Sequence, residues 1–190
     1  MTPWAYVGAD ARTAYWILIA IYCVSEWTLA YRMRASRSDH NEDRGSLRVL
    51  VLDTTRPGQD AGELGAERLE WLDAELSAAP ELPTLVAMHH PPLAVGIAQW
   101  DAIGLPAGDR DALGTVIRRH PQVRRLVAGH VHRTIASDLG GRAVLAVPST
   151  YVQAKLDLGS DEIALGDEPP GFAVHVLVGG ELISHIQPVG

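Results

Sequence analysis

Two short histidine blocks carry the most chemical information in this sequence: Met88-His89-His90-Pro91-Pro92 and Gly129-His130-Val131-His132. A neutral imidazole offers a nitrogen lone pair that suits Zn, Mn or Fe as divalent ions. Each block directly follows an apolar run, so its histidines leave a strand end where loops build clefts, and the two prolines forbid the strand from continuing. His130 and His132 are separated by one residue and reach a common site if the loop turns between them. Gly129 is expected to permit a close backbone approach or an unusual dihedral there. A single histidine is more often a core or surface side chain than a ligand. Two strand-end blocks joined by one helix and one strand point instead to metal ligation by histidines of these blocks.

The elements that must position these residues begin at Leu47. Leu-Arg-Val-Leu-Val-Leu predicts a strand ended by Asp53, with Thr-Thr-Arg-Pro-Gly as the loop that follows. Residues Glu63 to Ala79 predict a helix with Leu69, Leu72 and Leu76 on one face, stopped by Pro80 and Pro83. A strand over Thr84 to Met88 runs into His89. A Pro- and Gly-rich loop follows, and then a helix that Asp109 is expected to cap, with Leu113, Val116 and Ile117 inward. Val123 to Ala128 predicts the strand that delivers His130. The rest alternates like antiparallel strands over Arg133 to Leu139, Arg142 to Val147, Phe172 to Val178 and Glu181 to Ile186, with Gly140-Gly141 and Gly179-Gly180 as hairpin turns.

The first 46 residues have a different character. Ala14 to Val24 is continuously apolar or aromatic, and the run extends to Tyr31 only by including Ser25 and Glu26. A membrane span needs about 20 mainly apolar residues, so 14–31 predicts a buried or interfacial helix, with a membrane anchor as the alternative. Arg34 to Ser46 is polar and mixed in charge, and predicts an exposed linker. The domain expectation is therefore an N-terminal segment over 1–46 and a partial catalytic-type domain over 47–190. The 190-residue length suits one core, and a formal net charge of -7 gives no electrostatic reason to approach a nucleic acid polymer or an anionic membrane. A single cysteine, Cys23, excludes an intramolecular disulfide framework and a cysteine-based zinc cluster.

Met-His-His-Pro-Pro followed by Gly-His-Val-His resembles the last two signature blocks of calcineurin-like metallophosphoesterases. Leu50-Val51-Leu52-Asp53-Thr54, Glu70-Trp71-Leu72-Asp73 and Gly96-Ile97-Ala98-Gln99-Trp100-Asp101 are similar to the branch containing class III cyclic nucleotide phosphodiesterases and glycerophosphodiesterases. The resemblance covers Leu47 to Val189. It implies an α/β fold, the C-terminal half of a two-sheet sandwich with flanking helices, and a centre of two divalent ions, with Mn, Fe or Zn as the metals. By the same resemblance His89 and His130 match ligands of one metal and His132 a ligand of the other. His90 has no ligand counterpart, and a supporting position or a phosphate contact is expected for it.

The family's earlier blocks, Asp-x-His, Gly-Asp-x-x-Asp and Gly-Asn-His-Asp/Glu, do not occur before Leu47. Asp39-His40-Asn41 has suggestive side chains without a strand to hold them, and Asp10 lacks a histidine two residues on. The functional expectation is a metal-dependent phosphodiesterase for small phosphodiesters, cyclic nucleotides or glycerophosphodiesters among them. The alternative is a non-catalytic remnant or binding module with part of the metal site. A cytoplasmic location is expected, with membrane association through 14–31 as the alternative. Self-association through an uncovered apolar face is a further expectation.

Overall fold

In the computed structural model, residues 15–18, 47–160 and 162–189 are described. From Leu47 onward, alternating side chains decide the architecture. In strands β2 (Arg48–Leu52), β3 (Thr84–Met88) and β4 (Val123–Ala128), the residues Leu50, Leu52, Val86, Met88, Leu126 and Ala128 enter one core. Their neighbours Val49, Val51, Leu85, Ala87 and Val127 enter a second core on the opposite face. A strand buried on both faces belongs inside a mostly parallel sheet. Indeed β2, β3 and β4 pair in parallel, and β6 (Arg142–Ala146) adds to β4 in parallel, with β5 (Ile135–Leu139) antiparallel at the edge.

Two helices cover the first face. Helix α1 (Gly65–Ser77) buries Leu69, Leu72 and Leu76, spaced three and four apart as a helical stripe requires. Helix α3 (Ala107–Arg119) buries Leu113, Gly114, Val116 and Ile117. Asp109 does not cap α3, as its position in the sequence suggests. Pro106 occupies that place, and the Asp109 carboxylate accepts the Leu64 N–H at 2.7 Å, joining the start of α1 to the first turn of α3. The Pro- and Gly-rich loop contains a helix that the sequence does not announce, α2 (Ala98–Ala102).

The opposite face meets a second sheet, which contains β1 (Tyr15–Leu18), β9 (Gly171–Val178) and β10 (Glu181–Pro188), all antiparallel with β9 in the middle. Ala173, Leu177 and Leu182 pack against Leu85, Ala87, Val127 and Leu145. Gly140-Gly141 and Gly179-Gly180 form two-residue turns with positive φ at both positions, as such tight hairpins demand. Two further short strands, β7 (Gln153–Ala154) and β8 (Leu165–Gly166), pair with each other. This is the α/β two-sheet arrangement with flanking helices expected from the sequence.

One expectation is overturned. Tyr15–Leu18, assigned to an apolar helix, is a strand paired with β9. Periodicity cannot separate a short unbroken apolar run in a strand from one in a helix, and aromatic and β-branched residues favour the pleated form. The remainder of the expected helix, the polar linker, Cys23, Asp10 and Asp39-His40-Asn41 lie outside the described residues. Among the described residues, no helix is long and apolar enough to cross a membrane.

The two sheets are joined by a polar chain with no local signature in the sequence. Arg125 on β4 donates to Ser184 Oγ at 2.6 Å and to the Leu182 carbonyl at 3.1 Å, and Ser184 Oγ lies 2.6 Å from His175 Nδ1. Ser184 Oγ accepts from the guanidinium and shares its other hydrogen bond with His175 Nδ1. His175 is 1% exposed, and burial, with the nearby Arg125 charge second, lowers its pKa from 6.5 to about 4. The unfolded chain therefore takes up this proton first as pH falls. Stability from neutral His175 is fully present above pH 6.5 and is lost as pH falls through about 4. A shift of this size corresponds to on the order of 3 kcal/mol. Urea unfolding of wild type and His175→Asn from pH 7 to pH 4 should show a shallower loss in the variant; parallel curves would refute the assignment.

Candidate metal centre

The strand ladder sets the separation of the two histidine blocks. β3 and β4 are adjacent and parallel, with Met88 opposite Ala128, so both chains leave the sheet side by side at their C-terminal ends. Loops at that edge of an open α/β sheet form a natural ligand crevice. Gly129 N–H donates to the His89 carbonyl at 3.0 Å, which carries the pairing one step beyond the strands. Pro91 and Pro92 cannot donate, and the ladder stops.

After β4 the backbone turns sharply. Val131 N–H donates to the Gly129 carbonyl at 2.8 Å, closing a three-residue turn centred on His130, whose φ is 67°. This positive-φ γ-turn is a rare and strained form. His132 also has positive φ, 49°. The turn between these two residues is as expected, but the unusual dihedrals fall on the histidines themselves and not on Gly129. Non-glycine residues held in this region cost energy and concentrate at functional sites.

The result is a tight imidazole cluster. His89 Nε2 and His130 Nδ1 are 3.2 Å apart, and ligand atoms of His89, His90 and His130 all lie within 4.8 Å of one another. His132 does not join that trio. It stands beside it, and the Trp100 ring from α2 packs against both His130, at 5.3 Å between centroids, and His132, at 5.8 Å. Asp101 holds the preceding loop in place, accepting the N–H groups of Val95 and Gly96 at 2.7 and 3.0 Å.

Burial lowers the pKa of every histidine here. His89 falls to about 4 and His130 to about 3; desolvation leads in both cases, followed by the charges of neighbouring imidazoles. For His90 and His132 the same desolvation is partly opposed by backbone carbonyls, those of Asp60 and Thr54 for the former and Val152 for the latter. At neutral pH these rings are neutral, the state a metal requires of its ligands. His130 Nε2 and His132 Nδ1 are buried without a hydrogen-bond partner. Two ligands about 2.0–2.1 Å from a shared tetrahedral ion sit roughly 3.3 Å apart, which the His89–His130 separation matches. Among the described residues no Asp or Glu belongs to this group.

His90 is engaged differently. Thr54 Oγ1 accepts the His90 backbone N–H at 3.2 Å and lies 2.8 Å from His90 Nδ1, while His90 Nε2 lies 3.0 Å from the Asp60 carbonyl. A carbonyl can only accept, so Nε2 carries the proton and Nδ1 accepts from the Thr54 hydroxyl. Asp53 has a turn role, accepting Thr55 N–H at 2.8 Å and the Thr55 hydroxyl at 2.7 Å. Sequence reasoning missed Thr54, Gly62 and Trp100. Thr54 and Trp100 lie inside segments that carried part of the resemblance, Leu50 to Thr54 and Gly96 to Asp101, and Gly62 left no signal.

No protein-family model matches the chain. Among curated proteins it is 43% identical over 108 residues to the 3',5'-cyclic adenosine monophosphate phosphodiesterase CpdA of Escherichia coli, covering 56% of this chain and 38% of that protein. It is 35% identical over 130 residues to a probable glycerophosphodiester phosphodiesterase GpdQ of Arcobacter nitrofigilis, covering 68% and 47%. The resemblance is to the calcineurin-like metallophosphoesterases. It lies in their cyclic nucleotide and glycerophosphodiester phosphodiesterase branch and concerns their C-terminal part. This chain spans about half the length, or less, of the curated relatives it matches. Among solved structures, the anchor protein of the inner membrane complex of Plasmodium superposes with a TM-score of 0.53 at 15% identity, over 74% of this chain and 44% of that one, a likeness of fold alone. A donor set of neutral imidazoles, His130 buried and His89 and His132 half-buried, fits the divalent-metal chemistry of the calcineurin-like fold.

Proposed function

We propose that this chain supplies the histidine ligands of a divalent-metal phosphodiesterase centre. His89 and His130 hold one ion, His132 faces a neighbouring ion, and the substrate is a small phosphodiester such as a cyclic nucleotide or a glycerophosphodiester. The observation that carries the reading is the 3.2 Å approach of His89 Nε2 to His130 Nδ1 at the ends of adjacent parallel strands. Bound there, a divalent ion supplies Lewis-acid polarisation of a phosphoryl oxygen and a water of lowered pKa. The protein's part is to keep the imidazoles neutral, desolvated and fixed in direction. Mn, Fe and Zn all suit nitrogen ligands, so the donor set does not choose among them.

One observation favours a second reading. The cluster has no carboxylate among the described residues, so nothing in it offsets the charge of two dications. A single ion bound without turnover is therefore the competing outcome. The test is titration of the purified chain with MnCl2, followed by hydrolysis of bis-p-nitrophenyl phosphate. Near two ions per chain, with turnover that His89→Ala eliminates, supports the phosphodiesterase. One ion and no turnover in a folded protein establishes the binding module, and no ion with either Mn or Zn rejects both.

A further inference from the structure

Although His90 lies within the group whose nitrogens could meet at a metal, both of its ring nitrogens are already committed to protein. Thr54, 1% exposed, binds it at Nδ1 and at the backbone N–H, and the Asp60 carbonyl takes the Nε2 proton. The chain just beyond Asp60 passes close to the ring. A Cβ built at Gly62 would lie 2.6 Å from His90 Cγ and from Nδ1, closer than carbon atoms tolerate, and 3.0 Å from Leu105. Only bare backbone fits beside this part of the imidazole. The free edges of the same ring contact the two proposed ligands, with centroids 4.7 Å from His89 and 4.4 Å from His130.

We infer that His90 is a positioning residue, neither ligand nor phosphate contact: a ring clamped by Thr54, Asp60 and the Gly62 backbone that sets the relative orientation of His89 and His130. The inference deepens the metal-site reading and rests on it. Coordinating through Nε2 would release the Asp60 carbonyl, and coordinating through Nδ1 would leave the Thr54 hydroxyl proton without its acceptor. A buried polar group stripped of its partner is costly, so an ion finds the rings of His89 and His130 before it finds His90. Groups that orient metal ligands are worth about 10–100-fold in affinity.

Thr54→Val keeps the shape and removes the hydroxyl. It is expected to weaken Zn2+ binding by about 10–100-fold, while Thr54→Ser stays near wild type. Long-range 1H–15N spectra of the full chain supply the readout that a loss of general stability would not move. In wild type, the His90 nitrogens should keep an Nε2–H pattern before and after Zn2+, while those of His89 and His130 shift. In metal-free Thr54→Val, and in Gly62→Ala as a second route to the same displacement, the ring signals of His89 and His130 should move, and in Thr54→Ser they should not. A His90 nitrogen that shifts on Zn2+ addition overturns the inference, as do unchanged His89 and His130 signals in both perturbing variants. If wild type binds no Zn2+, the metal-site reading fails by itself, and the metal-free spectra still decide whether His90 positions its neighbours.

Discussion

His130→Ala is expected to abolish measurable Zn2+ binding and to be less stable than His130→Gly. Both truncations remove the imidazole whose Nδ1 stands 3.2 Å from His89 Nε2. Supporting groups around a ligand already carry about 10–100-fold, so loss of the ligand itself should exceed that range. The order of stability comes from the backbone. With φ of 67°, position 130 holds a conformation that costs an L-residue about 1 kcal/mol or more and costs glycine nothing comparable. Alanine keeps that strain and loses the ring; glycine loses both. Chemical denaturation should therefore place the glycine variant about 1 kcal/mol above the alanine variant, the reverse of the usual ranking. Equal stability would mean that the turn relaxes once the ring is gone, and retained metal binding would move the site away from His130.

The second large effect is expected far from the site. Gly140 and Gly141 form the turn between β5 and β6, with φ of 59° and 77°. Their surroundings differ. A Cβ at Gly140 would meet the Gly114 carbonyl oxygen at 2.7 Å, Ile117 Cβ at 3.1 Å and the Arg118 nitrogen at 3.2 Å, whereas at Gly141 nothing lies within 4 Å. Gly141→Ala should therefore cost only the backbone strain, about 1 kcal/mol. Gly140→Ala adds a collision with the backbone of α3, and overpacking of this kind costs about 1–3 kcal/mol. A total of about 3 kcal/mol should move the urea midpoint by about 1–3 M, given m-values of about 1–3 kcal/mol/M. Indistinguishable midpoints would show that the hairpin swings away from α3 at no cost.

What the sequence disclosed about this fold depended on how local the information was. The strands ending at Leu52, Met88 and Ala128, the leucine stripe of α1 and the two double-glycine turns are written in neighbouring residues, and all are present. Both histidine blocks were recognisable because each needs only a strand before it and a stop or turn after it. Asp109 was misread because its carboxylate serves an N–H 45 positions away, on another helix. The roles of Thr54 and Gly62 were invisible for the same reason: a threonine after a strand and a glycine in a loop have no special periodicity, and their meaning comes from His90, 36 residues on from Thr54. The five-residue α2 is too short to show a period, so Trp100 could not be placed against His130 and His132. At Tyr15–Leu18 the missing information was the open flank of β9, more than a hundred residues downstream.

Among the described residues, the hydrogen bonds of His90 to Thr54 and Asp60 and of His89 to His130 join partners 30 to 41 positions apart, between Thr54 and His130. Loop closure over such spans costs only slowly growing entropy, and the crossovers that close them are the helices α1 and α3. The β9–β10 hairpin touches the far face of the central sheet and makes none of these bonds. During translation, at roughly 5–20 residues per second, every residue of the cluster has left the peptidyl-transferase centre before the hairpin is made. Leu85, Ala87 and Val127 therefore gain their cover from Ala173, Leu177 and Leu182 only after the whole histidine-bearing segment has been synthesised.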